Sequence, residues 1–120
     1  MSQLTVTTRT LPCGPLIEVA GELDHHTAHQ IRDALPNLPL QEGQQLLLDL
    51  GGLEFCDSTG LTVMIAARNH ALATHATIAL TAVPDRVRRI LSIVGLDQVF
   101  PTHPTIAEAE AAWTPPDRPS

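Results

Sequence analysis

The segment Leu46-Leu47-Leu48-Asp49-Leu50-Gly51-Gly52-Leu53-Glu54-Phe55-Cys56-Asp57-Ser58-Thr59-Gly60-Leu61 constrains the fold more than any other part of this chain. Three consecutive leucines without polar alternation mark a strand buried on both faces of a sheet. The segment then reads as a turn, and Asp57-Ser58-Thr59-Gly60 opens a helix from about Ser58 to Ala73. Ile78-Ala79-Leu80-Thr81 supplies the next strand and closes a right-handed parallel crossover.

Around this unit, Leu4 to Arg9 alternates apolar and polar residues, and Leu16 to Ala20 follows after the turn residues Pro12, Gly14 and Pro15. Together they predict a hairpin. Gly21 is expected to break the second strand, and Asp24 to cap a helix through His25 to Leu35 that buries Ala28, Ile31 and Leu35 and ends at Pro36. After Val83-Pro84-Asp85 a further helix carries Val87, Ile90, Leu91 and Val94 as its apolar face, stopped by Gly95. Val99-Phe100 reads as a short edge strand, and Pro104 as part of the first turn of a last helix through Ala112. The expected architecture is one α/β domain over residues 1–113, with a mixed sheet of four to five strands and about four helices mainly on one face. Residues 114–120 read as a frayed, proline-rich tail.

Composition narrows the function. Thirteen acidic against seven basic residues give a net charge of -6, the wrong sign for binding nucleic acid by counterion release. Aromatic residues are 2% of the chain, too few for a stacking platform or an interfacial belt. No apolar run approaches the ~20 residues needed to cross a bilayer, and no basic-then-apolar leader follows Met1. A cytoplasmic protein without membrane contact is expected. Cys13 and Cys56 match no metal or redox spacing, and no cofactor is implied. A protein partner remains as the default.

The chemistry concentrates where the central strand meets its helix. A helix N-terminus has unpaired N–H groups and the positive end of the dipole, so an anion on Ser58 would be tolerated there. Asp57 or Ser58 equally well serves as a plain N-cap.

Asp57-Ser58-Thr59-Gly60-Leu61, Gly21-Glu22-Leu23-Asp24 and Val94-Gly95-Leu96-Asp97-Gln98-Val99-Phe100 together resemble, in order and spacing, the STAS family of bacterial anti-sigma factor antagonists. Gly21 to Ala28 is most similar to actinobacterial members. The resemblance runs from Leu4 to about Ala112 and implies a STAS fold and a partner switch. The unmodified protein would bind an anti-sigma factor that is also a serine/threonine kinase and so free its sigma factor. Phosphorylation would end binding, and a serine phosphatase would reset it. The modified serine maps onto Ser58, while Thr59 falls on a variable position of the motif. Asp24, His25, Asp57, Ser58, Thr59, Gly60, Leu61 and Thr62 are then the expected partner surface, on a monomer or weak dimer. The same domain also occurs as an interaction subunit in transporter-associated and stress-sensing assemblies, so binding without phosphorylation is the alternative. One departure is Thr74-His75-Ala76, where related sequences often carry glycine, so a different closure of that helix end is expected.

Other chemistries fit less well. His25 and His29 share a helix face as a candidate metal pair, but the H-E-x-x-H glutamate and a third ligand are missing. Cys56 stands where a G-x-S-x-G elbow needs glycine, and no second Asp motif or phosphate-binding G-x-x-x-x-G-K-[ST] loop exists. A small hydrolase is therefore the remote alternative. Arg86, Arg88 and Arg89 read as a solvated helix face, with Asp85 pairing Arg89.

Overall fold

The computed structural model describes residues 3–114. The chain runs β1 (Leu4–Leu11), β2 (Gly14–Leu23), α1 (Ala28–Ala34), β3 (Gln45–Cys56), α2 (Ser58–Ala73), β4 (Thr77–Thr81), α3 (Asp85–Ile93), β5 (Thr102–His103) and α4 (Ile106–Ala112), with 3-10 turns at Leu35–Asn37 and Leu96–Gln98. This is the expected order of elements. Of the tail expected over 114–120, residues 115–120 lie outside the described residues.

The five strands lie in sequence order across one sheet. β1 and β2 are antiparallel across a two-residue link, Pro12-Cys13, while β2, β3, β4 and β5 are parallel. β3 is the centre, which explains its leucine run. Leu46, Leu48 and Leu50 join Ile17, Val19, Ile78 and Leu80 in the main core beneath α1, α2 and α3. Leu47 points the other way, with Leu16 and Ala79, against Ala109 of α4. Each of these leucines is at most 1% exposed, and burying one is worth about 1.5–3 kcal/mol. Three helices share one face, and α4 covers part of the other.

Local expectations changed where tertiary contacts overrode local signals. Gly21 does not end β2. It takes φ +105°, where a Cβ would collide with the Gln3 carbonyl, and sits at a register irregularity through which the strand continues to Leu23. Likewise Gly51 to Cys56 is strand, not turn, because pairing with β2 persists to Leu23 and Cys56. The first helix starts at Ala28 with Thr27 in the N-cap position, rather than at His25 after an Asp24 cap, and Pro36 lies inside a 3-10 turn. Ala28, Ile31 and Leu35 are buried as expected, but on α3 only Val87 and Leu91 are, since Val94 follows the helix end and is 54% exposed. Phe100 is a core plug at 1% exposure, so the edge strand forms at Thr102–His103 instead. Pro104 lies outside α4, whose N-cap is Thr105.

The C-terminus of α2 closes as a glycine would close it, contrary to expectation. His75 adopts φ +62°, its N–H donates to the Leu72 carbonyl at 3.0 Å, and the Ala76 N–H reaches back to Ala71 at 2.9 Å. These are the two bonds of a Schellman motif, with histidine in the left-handed position.

Candidate functional site

β2 and β3 are parallel neighbours that end side by side, with Leu23 opposite Cys56. The two segments leaving them are therefore adjacent, and the Asp57 N–H donates to the Leu23 carbonyl at 3.2 Å. This bond fastens the start of α2 to the loop that leads to α1.

Asp57 is the N-cap of α2. Its backbone is extended (φ -103°, ψ -170°), and Oδ1 accepts from the Thr59 N–H at 2.9 Å and the Gly60 N–H at 3.1 Å. One carboxylate oxygen thus satisfies two donors that the helix leaves unpaired. Ser58, the first helical residue, is relieved of capping. It is exposed, and its Oγ has no hydrogen-bond partner among the described residues. Its carbonyl accepts from the Thr62 hydroxyl at 3.0 Å. Thr59 and Leu61 are half-buried and Thr62 is exposed, so the outward surface of this turn is Ser58 and Thr62 with the edges of Thr59 and Leu61.

Gly60 sets how closely that turn approaches the sheet. A Cβ there would lie 2.7 Å from Cys56 Sγ and 2.9 Å from Leu23 Cγ, inside any tolerable contact distance. Leu23 is fully buried, so the serine is presented from a seat with no spare room. Burial, and then the neighbouring Asp57 charge, push the Cys56 thiol up to about 11. At neutral pH it is a protonated packing group rather than a nucleophile. Burial, followed by Glu110, raises the Cys13 thiol as well.

Asp24 belongs to the adjoining loop but does not face outward as a free charge. It is 8% exposed. Its Oδ1 accepts from the His26 N–H at 2.9 Å. Thr27 closes the turn reciprocally: its Oγ1 accepts from the Asp24 N–H at 3.1 Å and donates to the Glu22 carbonyl at 2.7 Å. Asp24 therefore shapes the turn ahead of α1, and the exposed side chains it delivers are His25 and His26, whose rings lie 3.9 Å apart. His29 is exposed beyond them. Among the described residues no group of three metal-binding side chains gathers, there or elsewhere.

Sequence reasoning missed Thr27 and Phe55. The Asp-x-x-Thr spacing of residues 24 and 27 is a reciprocal capping signal that could have found Thr27. Phe55 is 48% exposed two residues before Asp57, and strand alternation alone could not show that its side of the sheet is open. Arg86, Arg88 and Arg89 are exposed on α3 as expected. The anticipated Asp85–Arg89 pair does not form, since the salt bridge among the described residues is Arg9–Glu18 at 3.3 Å.

Residues 6–102 match the sequence family described as "Mlab, STAS domain". The chain is 35% identical over 84 residues to an anti-sigma-B factor antagonist of Listeria monocytogenes, covering 70% of this chain and 74% of that protein. It is 27% identical over 94 residues to the anti-sigma-F factor antagonist RsfB of Mycobacterium tuberculosis, covering 78% and 76%. The crystal structure of an anti-sigma factor antagonist from Mycobacterium paratuberculosis superposes with a TM-score of 0.75 at 25% identity, covering 92% of this chain and 94% of that one. Among the described residues no helix is long and apolar enough to cross a membrane.

Proposed function

This chain belongs to the STAS domain family, and on that premise we propose that it is an anti-sigma factor antagonist switched by phosphorylation of Ser58. The observation that carries the reading is the division of labour at the head of α2. Asp57 holds the helix, so the Ser58 hydroxyl is exposed and free for chemistry. In the unmodified state the surface around Ser58, Thr62, Leu61, His25 and His26 would dock an anti-sigma factor that is also a serine/threonine kinase, displacing its sigma factor. This protein acts by binding and catalyses nothing itself, and its place is the cytoplasm.

In the modifying step the Ser58 Oγ attacks the γ-phosphorus of ATP held by the kinase. A new P–O bond forms as the β–γ bridging P–O bond breaks, ADP leaves, and the hydroxyl proton passes to a base of the kinase. Phosphoserine adds about -1.5 to -2 charges at one point. The dipole favours that charge by roughly 0.3–1 kcal/mol, while Asp57 already occupies the Thr59 and Gly60 donors and repels it. The two effects oppose within the domain, so the fold is nearly indifferent. An interface fitted to a neutral hydroxyl is not, because an unpaired charge cannot be buried without several kcal/mol of penalty. A serine phosphatase then restores the binding form.

Binding of a candidate anti-sigma kinase to Ser58→Ala and Ser58→Asp tests the reading. Ser58→Ala should bind like the wild type and persist in the presence of ATP, and Ser58→Asp should bind at least tenfold more weakly. Equal affinity of both variants would point instead to a STAS interaction subunit that is not controlled at this serine.

A further inference from the structure

The two edges of the sheet are treated very differently. β5 has only two residues, Thr102 and His103, set between Pro101 and Pro104, which is the usual protection against strand addition. β1 has eight residues, Leu4–Leu11, with no proline, no lysine and a single charge, Arg9, that is already engaged by Glu18. Thr5, Thr7, Thr8, Arg9 and Thr10 are exposed.

The register shows which backbone groups face outward. Glu22 donates to the Gln3 carbonyl at 2.8 Å, and the same antiparallel register pairs Thr5 with Ala20, Thr7 with Glu18 and Arg9 with Leu16. In an antiparallel ladder, hydrogen-bonded pairs alternate with non-bonded ones. Odd-numbered residues of β1 therefore direct their N–H and C=O towards β2, and Leu4, Val6, Thr8 and Thr10 direct theirs outward. Among the described residues nothing pairs with that row.

We propose that the β1 edge is a self-association surface, on which a second copy of this chain adds its own β1 antiparallel about a twofold axis through Thr7. The sequence of the strand is self-complementary in that register. Leu4 meets Thr10 and Val6 meets Thr8, so each outward N–H and C=O finds a partner. Shifting the axis to Val6 or to Thr8 leaves one such residue of each copy without a β1 partner. The register also sets Arg9 opposite Thr5, which keeps the two guanidinium groups from facing each other, and like charges directly opposite are destabilising. Polar and β-branched threonines at the contact, with a net charge of -6 on each copy, fit a reversible pairing rather than an obligate one. This inference is independent of the phosphorylation reading.

Sedimentation velocity of the full chain at rising concentration, under reducing conditions, tests it together with two cysteine probes. Wild type should shift towards dimer. Thr8→Pro removes only an outward donor, a position at which edge strands accept proline, and should remain monomeric at the same concentrations with an unchanged circular dichroism spectrum. Under oxidation Thr7→Cys should form a covalent dimer, because a non-bonded antiparallel pair brings Cα atoms to about 4.5 Å, within disulfide range. Thr5→Cys should not, since its copy lies roughly 13 Å away along the strand. A wild type that stays monomeric, a dimer that survives Thr8→Pro, or a Thr5→Cys cross-link that forms as fast as that of Thr7→Cys would each overturn the proposal. The cysteine pair decides the matter even if Thr8→Pro does not fold.

Discussion

Replacing Gly60 by alanine asks whether the serine-bearing turn is held by close packing or merely by helix propensity. Propensity alone favours the substitution, because alanine in a helix is better than glycine by about 0.8–1 kcal/mol. Packing opposes it. The new methyl would fall 2.7 Å from Cys56 Sγ, 2.9 Å from Leu23 Cγ and 3.1 Å from Leu23 Cδ2. The leucine is fully buried and is met at its branch point rather than at a mobile tip. Overpacking of this kind costs about 1–3 kcal/mol. The balance is a net destabilisation of roughly 1 kcal/mol, read as a lower urea midpoint at unchanged m-value. Adding Cys56→Ala removes the nearer obstacle and leaves the leucine. In a double-mutant cycle the pair should therefore be less harmful than the sum of its parts by at least about 0.5 kcal/mol. A Gly60→Ala protein as stable as the wild type, or strict additivity with Cys56→Ala, would refute the packing argument.

Three further outcomes follow from the same geometry. Asp57→Ala loses both cap bonds to Thr59 and Gly60 and should lower stability by about 1 kcal/mol in thermal melts, while Asp57→Asn, which keeps the acceptor, should lose much less. Equal losses would mean that Asp57 acts through its charge instead. His75→Gly relieves a non-glycine residue at φ +62° and should raise stability by about 0.5–1 kcal/mol, with no gain in the melting temperature counting against the strain. Because the folded state holds the Cys56 proton more tightly, with the thiol pushed up from 9.0 to about 11, its contribution is complete below pH 9 and declines as pH rises from 9 through 11. Cys56→Ala should flatten that alkaline loss in urea titrations, and an unchanged slope would contradict the burial of the thiol.

Much of the fold was legible because the strongest signals were redundant. The leucine run, bounded by turn residues, fits a strand covered on both faces, and the helix after it begins at Ser58 as expected, since cap, apolar pattern and glycine all agree. Signals of a single kind misled. Gly21 looks like a strand terminator by composition but is a bulge position in a strand whose neighbours keep pairing. Val94 fits the helical period, yet the helix has already ended. Phe100 looks like strand because it is aromatic, while tertiary packing uses it as a plug. At the candidate site, residue types pointed to the turn at the head of α2 but did not fix the division of roles there. Asp and Ser are both good caps, and only the backbone bonds show that Asp57 caps while the Ser58 hydroxyl has no partner among the described residues. Asp24 is expected both to cap the first helix and to join the partner surface; its carboxylate is buried and holds the His26 N–H, and the exposed side chains of its loop are His25 and His26.

Ser58 presents an exposed hydroxyl with no hydrogen-bond partner among the described residues, and the proposed switch adds charge at that point. The most direct measurement is to incubate the protein with a candidate anti-sigma kinase and ATP, map the modified residue by mass spectrometry, and titrate the purified phosphoprotein against the same kinase. One phosphate on Ser58, an essentially unchanged melting temperature and affinity reduced at least tenfold are predicted. Phosphate on Thr59 or Thr62 instead, or a Ser58-phosphorylated protein that binds as tightly as the unmodified one, would contradict it.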